Sequence, residues 1–182
     1  AAVALPPDSY KITQTAVSPN GNWIAVGTNE SSVVLLNFVT LAVAAKLRIP
    51  LANPKSELEG VEYLRWSPDG KYLGVAHGDG HLYIVHVSVK KDPDDSAKKI
   101  VKLAKWKGLK LRAAASHLQW GQDSSIIKAL TRDYEVAHFT LDLSGKSGKQ
   151  TAKTVDPDKY SFSGDPLVAG WDVQGLYQPG FD

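Results

Sequence analysis

The sequence of 182 residues predicts an all-β chain that folds as part of a β-propeller. A short turn phrase occurs twice, 49 residues apart, as Ser18 to Gly21 and as Ser67 to Gly70, and a degraded copy follows from Trp120 to Ser124. Each copy lies between short runs rich in Val, Ile, Tyr, Trp and Thr, which is typical of strands joined by tight turns. Units of this kind that repeat every ~40–50 residues are typical of propeller blades.

The aligned copies predict four strands in each unit. Three strands form an antiparallel meander, because each run is short and is bounded by Gly, Asn, Asp or Pro. A fourth run supplies the outer strand. The predicted strands are 12–17, 23–28, 33–38 and 42–49 in the first unit, 61–66, 72–76, 81–87 and 99–106 in the second, and 116–120, 124–130, 134–141 and 149–155 in the third.

The repeats also predict the organisation of the chain. A propeller ring needs about four to eight blades, so we expect these three to be a piece of a longer polypeptide. The expected segments are a lead-in at 1–9, blade 1 at 10–59, blade 2 with a charged insertion at 60–113, blade 3 at 114–166, and the truncated start of a further blade at 167–182.

Turn chemistry supports the hairpins of this architecture. In the second copy, Pro68 presets φ for a type I turn, and Gly70 can adopt the positive φ that closes it. In the next hairpin of blades 2 and 3, Asp79 and Asp133 stand where an Asx side chain can accept hydrogen bonds from its own turn. Both aspartates are therefore predicted to be structural turn residues.

Three aromatic residues have predicted structural roles. Trp66 and Trp120 end the innermost strands of successive blades, so we expect their indoles to be buried between blades. His117, on the innermost strand of blade 3, is expected to form a hydrogen bond within its blade.

Composition excludes several classes of protein. With 43% hydrophobic residues, 22% charged residues and a net charge of +2, the chain has the balance of an ordinary soluble domain. It has no run of the ~18–20 apolar residues that cross a bilayer, so we expect no membrane partner. The absence of cysteine excludes disulfides and cysteine-ligated zinc. We expect no cofactor.

One segment is strongly basic. Between residues 90 and 112, nine cations stand against three carboxylates, a local net charge of +6 that leaves −4 for the rest of the chain. Such asymmetry predicts attraction of an acidic partner. Lysines on an outer strand also prevent edge-to-edge pairing, which is the alternative explanation of the same composition. The candidate binding residues are Lys90, Lys91, Lys98, Lys99, Lys102, Lys105, Lys107, Lys110 and Arg112.

Other chemistries have weaker support. Trp106 within the basic segment would offer one stacking aromatic to nucleic acid, but the chain has no recognition motif, and we expect no nucleic-acid partner. The sequence from His77 to His81 holds two imidazoles and one carboxylate, enough for a metal. A structural turn is favoured there, with His81 pointing away from its neighbours on the following strand. No catalytic or metal site is predicted.

Several motifs occur together in one order: 67–73 with Asp79, 82–84, 87–88, 116–120, 133–136, and Gly170, Val173, Gly175, Gly180 and Asp182. Together they resemble one known family, the echinoderm microtubule-associated protein-like (EMAP-like) proteins. The order and spacing are similar to the C-terminal atypical WD-repeat propeller of that family over roughly residues 12–182. Phe139 and Tyr177 depart from the family pattern, which usually has Trp there.

The resemblance implies a non-catalytic scaffold that binds tubulin or microtubules. It also implies a location in the cytoplasmic cytoskeleton and, for several relatives, in the axoneme of cilia or flagella, where other axonemal proteins would be partners. The alternative is an adaptor propeller that binds other proteins and ignores tubulin. A hydrolytic enzyme is the third class, and it would require polar groups that converge on a pocket.

Overall fold

A computed structural model describes residues 11–49, 60–91, 99–106, 108–144, 147–150 and 161–162 of the protein. Within these ranges the chain forms strands and turns. None of the described segments is a helix long and apolar enough to cross a membrane. The prediction of an all-β chain of antiparallel sheets is confirmed.

The described strands form three sheets, which we name blades 1 to 3. Blade 1 contains β1 (Ile12–Val17), β2 (Trp23–Thr28), β3 (Ser32–Asn37) and β4 (Val43–Arg48). Blade 2 contains β5 (Val61–Trp66), β6 (Tyr72–His77), β7 (His81–Lys91), β8 (Lys99–Lys105) and β9 (Leu109–Lys110). Blade 3 contains β10 (Ala115–Trp120), β11 (Ile126–Thr131), β12 (Val136–Asp142) and β13 (Ser147–Gln150).

Blade 2 differs from the predicted four-stranded unit. Strand β7 continues to Lys91, four residues beyond its predicted end, because β8 pairs with its second half from Val85 to Lys91. Its first two residues pair instead with the short strand β9, which the sequence did not predict. The expected lead-in at 1–9 and the start of a further blade at 167–182 lie outside the described residues.

The innermost strands of the three blades lie side by side. Strand β5 contacts β1 on one side and β10 on the other. Each innermost strand has an irregular register at the same place, between its first and third residues, in blades 1, 2 and 3 alike. A bulge of this kind increases the local twist of a strand. The repeated irregularity therefore gives the three inner strands a common shape.

Two tryptophans join neighbouring blades at these inner strands. The indole N–H of Trp66 donates to the carbonyl oxygen of Ala16 in blade 1 at 3.0 Å. The indole N–H of Trp120 donates to the carbonyl oxygen of Arg65 in blade 2, also at 3.0 Å. In both cases the acceptor precedes the last residue of the neighbouring inner strand. Both indoles are buried, Trp66 at 5% and Trp120 at 0% exposure.

Apolar side chains fill the two spaces between blades. The core between blades 1 and 2 contains Val33, Leu35 and Val75, all with no more than trace exposure. The core between blades 2 and 3 contains Ile84 and Ile127, which are also fully buried. Alternate residues of β6 and β7 in blade 2 supply the two cores, as expected when a sheet is covered on both faces. Packing between blades, rather than within one blade, therefore forms the hydrophobic core.

Blade 1 has no tryptophan at the end of its innermost strand. Val17 ends β1 at the position of Trp66 and Trp120, and its side chain is 54% exposed. An aliphatic side chain cannot donate a hydrogen bond, so the inner strand of blade 1 presents only apolar surface at this point.

The first hairpin turn of each blade has its own polar network. In blade 2, Gly70 has a φ of +67°, and the backbone N–H of Tyr72 donates to the Ser67 hydroxyl at 3.0 Å. In blade 3, Ser124 adopts a φ of +63°. There the Asp123 carboxylate accepts from the Ser125 hydroxyl at 2.6 Å and from the Ser125 backbone N–H at 3.0 Å. The degraded third copy thus closes its turn without glycine.

Truncation of Trp66 or Trp120 to Ala should lower the free energy of unfolding by about 3 to 5 kcal/mol, because a large buried side chain is lost. Replacement of Trp66 or Trp120 by Phe should lower the free energy of unfolding by about 1 kcal/mol more than Trp23→Phe does. The reason is that the carbonyl oxygen of the neighbouring blade loses its hydrogen-bond donor. Trp23 is buried as well, but the described residues show no bond from its indole to another blade. Urea denaturation monitored by circular dichroism measures these differences. Equal losses for Trp66→Phe and Trp23→Phe would contradict the role given to the hydrogen bond.

The Asp123 turn predicts a pH dependence. The hydrogen bonds from the Ser125 side chain and backbone lower the pKa of Asp123 below its usual 3.8. A carboxyl with a lowered folded pKa stabilises the fold above its unfolded pKa, and this contribution is lost as pH falls through the folded value. We therefore expect wild type to be more stable than Asp123→Asn at neutral pH, and the difference to shrink below pH 3.8. Denaturation midpoints of both proteins across this range test the sign, and a difference independent of pH would refute it.

Candidate partner-binding surface

The structure separates the predicted basic residues into two surfaces. The first is the outer-strand surface, formed by Lys90 and Lys102 on the paired strands β7 and β8, with Lys105 on the opposite face of the same strands. The second lies on the connection from blade 2 to blade 3 and contains Lys110 and Arg112. Lys91 and Lys99 are paired on the same two strands, although their side chains lie outside the described part. Lys98 and Lys107 also fall outside the described residues.

The outer-strand surface has an apolar side and a cationic side. Val101 and Leu103 of β8 are partly buried against the core between blades 1 and 2. Lys102, between them in sequence, is exposed, as is Lys90 on β7. Lys105 is partly buried, and its ammonium group lies 4.8 Å from the centre of the Tyr83 ring. Lys90 and Lys102 are therefore the described lysines with the best access to a partner.

The connection to blade 3 borders an open groove of about 440 Å³. The Arg112 guanidinium lies 3.5 Å from the Glu135 carboxylate and is 77% exposed. Buried Leu111 and Ala137 line the groove with apolar surface. Lys110, on β9, is exposed at the edge. The groove combines an apolar floor with cationic groups.

The turn of residues 77–81 is a buried polar network. The Asp79 side chain is fully buried, and its Oδ1 lies 3.0 Å from His77 Nδ1. Its Oδ2 accepts from the Tyr83 hydroxyl at 3.0 Å. Burial, together with the neighbouring Asp79 carboxylate, raises the pKa of Tyr83 well above its usual value. His77 Nε2 lies 2.8 Å from the Ser31 hydroxyl of blade 1, so this turn also connects two blades.

The expectation that His81 points away from this turn was wrong. His81 Nδ1 lies 3.3 Å from Asp79 Oδ1, and the His81 backbone N–H donates to the same oxygen at 3.0 Å. The reason is that the tight turn brings the His81 side chain back to the Asp79 carboxylate at the start of β7. Among the described residues, no group of three or more His, Asp or Glu side chains is arranged to hold a metal ion.

The remaining predicted turn and blade residues have local partners. The Asp133 carboxylate accepts a hydrogen bond from the Thr131 hydroxyl, and this bond lowers the pKa of Asp133. The His117 ring lies 5.1 Å from the ring of Tyr63, which belongs to blade 2. Its Nδ1 lies 3.4 Å from the Ser116 hydroxyl. His117 therefore has contacts both within its blade and across the blade interface.

The stacking role considered for Trp106 is excluded by its burial. Its side chain is 4% exposed and packs edge-on against Tyr72, with ring centres 5.6 Å apart. Trp106 is the single aromatic residue of segment 90–112. This segment therefore presents no aromatic surface on which a nucleic-acid base could stack.

Sequence reasoning missed a group of residues on the turn between β11 and β12. Tyr134 has a φ of +62°, which costs a non-glycine residue about 1 to 2 kcal/mol, and its side chain is 84% exposed. Next to it, Arg132 bonds Glu62 of blade 2 at 2.6 Å. The signal was present in the aligned turns, because Tyr134 occupies the position at which blade 2 has Gly80.

Comparison with known proteins supports the fold and the resemblance. A family profile described as the anaphase-promoting complex subunit 4 WD40 domain matches residues 47–108. Echinoderm microtubule-associated protein-like 2 of Rattus norvegicus is 27% identical over 164 residues, 90% of this chain and 22% of the relative. The 77 kDa echinoderm microtubule-associated protein of Strongylocentrotus purpuratus is 26% identical over the same share of this chain and 21% of its own length. The chain thus spans about a fifth of these relatives.

Solved structures show the same fold at low sequence identity. The β-propeller domain of Cps50 (Swd1) from Myceliophteria thermophila has a TM-score of 0.55 and 17% identity over 81% of this chain and 41% of that domain. A candidate 6-phosphogluconolactonase from Bacteroides fragilis has a TM-score of 0.60 and 14% identity, over 83% of this chain and 41% of that protein. The fold therefore also occurs in a neighbour that carries an enzyme name. The chain has a WD-repeat β-propeller fold, and its sequence is similar to EMAP-like proteins.

Proposed function

We propose that this chain belongs to a non-catalytic WD-repeat scaffold that associates with microtubules. The observation that carries the proposal is the similarity to microtubule-associated proteins over 90% of the chain. The WD40 profile and the relatives favour a binding protein over an enzyme. Cytoplasm and cytoskeleton are the corresponding location. The resemblance extends the proposal to the ciliary axoneme and its proteins.

The outer-strand surface is the proposed contact with tubulin. Lys90 and Lys102 are exposed on neighbouring strands, and Lys99 is paired with Lys91 beside them. Several cations on adjacent strands create a positive field that attracts an acidic protein surface. Because contacts between exposed charges are screened over about 10 Å at 0.1 M salt, this binding should be sensitive to ionic strength.

The alternative is an adaptor propeller that binds other proteins without tubulin. Its supporting observation is the turn of blade 3, where exposed Tyr134 and Arg132 lie away from the outer-strand surface. Loops on a rigid scaffold are frequent sites of partner contact. The affinity of such an adaptor for its partner would not change on charge reversal in β7 and β8.

Reversal of Lys90, Lys99 and Lys102 to Glu should weaken microtubule cosedimentation. Exposed ion pairs contribute about 0.2 to 1 kcal/mol each, so three lost pairs predict roughly a 3- to 150-fold increase in Kd. Raising salt should weaken wild type in the same direction. Circular dichroism should show that the fold is retained, because the described side chains of this set are exposed.

The matched control reverses Lys11, Arg48 and Lys71, which are exposed elsewhere on blades 1 and 2. Both triple variants change the net charge by the same amount, so any difference between them depends on position. Cosedimentation should persist in the control. Equal weakening in both variants would indicate general repulsion, and unchanged binding in the outer-strand variant would move the tubulin contact away from this surface. Absence of cosedimentation by wild type would favour the adaptor.

A further inference from the structure

The turn between β11 and β12 exposes an aromatic side chain at a sterically unfavourable backbone position. The corresponding residues of the other blades are small, Ser31 with a φ of 59° and Gly80 with a φ of 79°. Tyr134 adopts nearly the same φ, 62°, but its ring is 84% exposed and so gains little from packing. Backbone strain that persists without a packing benefit is characteristic of functional positions.

Two guanidinium groups are anchored beside this turn. Arg132 bonds the Glu62 carboxylate of β5 at 2.6 Å, and Arg112 lies 3.5 Å from the Glu135 carboxylate. An arginine side chain has five N–H donors, and each of these contacts uses one of them within the described part of the chain. The remaining donors can therefore bind further carboxylates without loss of the existing contacts.

The cations form the outer layer of this region. Arg112 is 77% exposed whereas Glu135 is 22% exposed, and Arg132 is 51% exposed whereas Glu62 is 27% exposed. Asp133 is the exposed carboxylate of the turn, and the Thr131 hydroxyl donates to it. Although the acidic and basic side chains balance in number, an approaching partner meets guanidinium groups and the Tyr134 ring first.

A groove adjoins these residues. It has a volume of about 440 Å³, and its apolar surface comes from Leu111 and Ala137. Lys110 and Arg112 form part of its wall, and Glu135 lies beneath Arg112. Of the two residue types that are enriched in binding hot spots, Arg112 lines this groove, and Tyr134 is the chain neighbour of its lining residue Glu135. The groove has room for several side chains of a bound segment, an aliphatic one included.

We propose that Lys110, Arg112, Arg132 and Tyr134 form a docking surface for an acidic peptide segment of a protein partner. Carboxylates of the segment bind the two guanidinium groups, and an apolar side chain between them enters the groove beside Tyr134. Charge complementarity with the outer layer of cations selects the acidic segment. This site goes beyond the microtubule proposal, because it uses no residue of the outer-strand surface.

The test uses the full chain and a fluorescein-labelled peptide of glutamates interrupted by two leucines. Fluorescence anisotropy should show salt-sensitive binding of this peptide and none of a matched peptide with lysine in place of glutamate. Arg112→Glu with Arg132→Glu should weaken binding by about tenfold or more, because both charge-assisted contacts are reversed. The outer-strand variant Lys90→Glu, Lys99→Glu and Lys102→Glu should retain the wild-type affinity. Failure of wild type to bind, or equal binding by the arginine variant, would overturn the proposal.

Tyr134→Asn separates a binding role from a structural one. Asn tolerates a positive φ better than Tyr, so the melting temperature should stay equal to or rise above that of wild type. Peptide affinity should fall several-fold, because the exposed ring is lost. A lower melting temperature, or unchanged affinity, would show that Tyr134 does not serve this site. Since no microtubule is present, the outcome is independent of the cosedimentation experiment.

Discussion

The bond from an indole N–H to a neighbouring carbonyl oxygen is the constraint on which the blade arrangement depends. Trp66 and Trp120 each bind the same backbone position of the preceding inner strand. A hydrogen bond fixes direction as well as distance, whereas apolar packing alone tolerates sliding. The two bonds therefore set the angle between blades, and the buried side chains behind them then determine how closely the sheets approach.

Strand positions were predictable wherever the controlling chemistry is local. Pro68 and Gly70 define a turn within four residues, and its repetition located the first hairpin of blades 1 and 2. The short strand β9 could not be predicted, because two residues carry no periodicity and pair only with a strand that precedes them by more than 20 positions. Its presence explains why β7 has two different partners along its length.

The candidate surfaces were only partly predictable for the same reason. Charge counting found the basic segment, but it could not divide it between the outer strand and the connection to blade 3. The pairing of Arg132 with Glu62 joins residues 70 positions apart, and no local pattern indicates it. Likewise, the position of His81 over Asp79 follows from the geometry of a folded turn, not from residue spacing.

The length of strand β7 sets the distance between these two surfaces. Its eleven residues run from His81, beside Lys110, to Lys91, beside Lys99. At about 3.3 Å per residue, the strand is a stiff spacer of roughly 23 to 30 Å between Lys110, which is paired with His81, and the exposed lysines Lys102 and Lys90. A partner with two acidic regions at that separation would gain from a high effective concentration at the second contact, so two weak attachments would multiply rather than add. A partner whose acidic regions have any other separation would bind only one of the two surfaces. The length of a single strand would then select between the two kinds of partner.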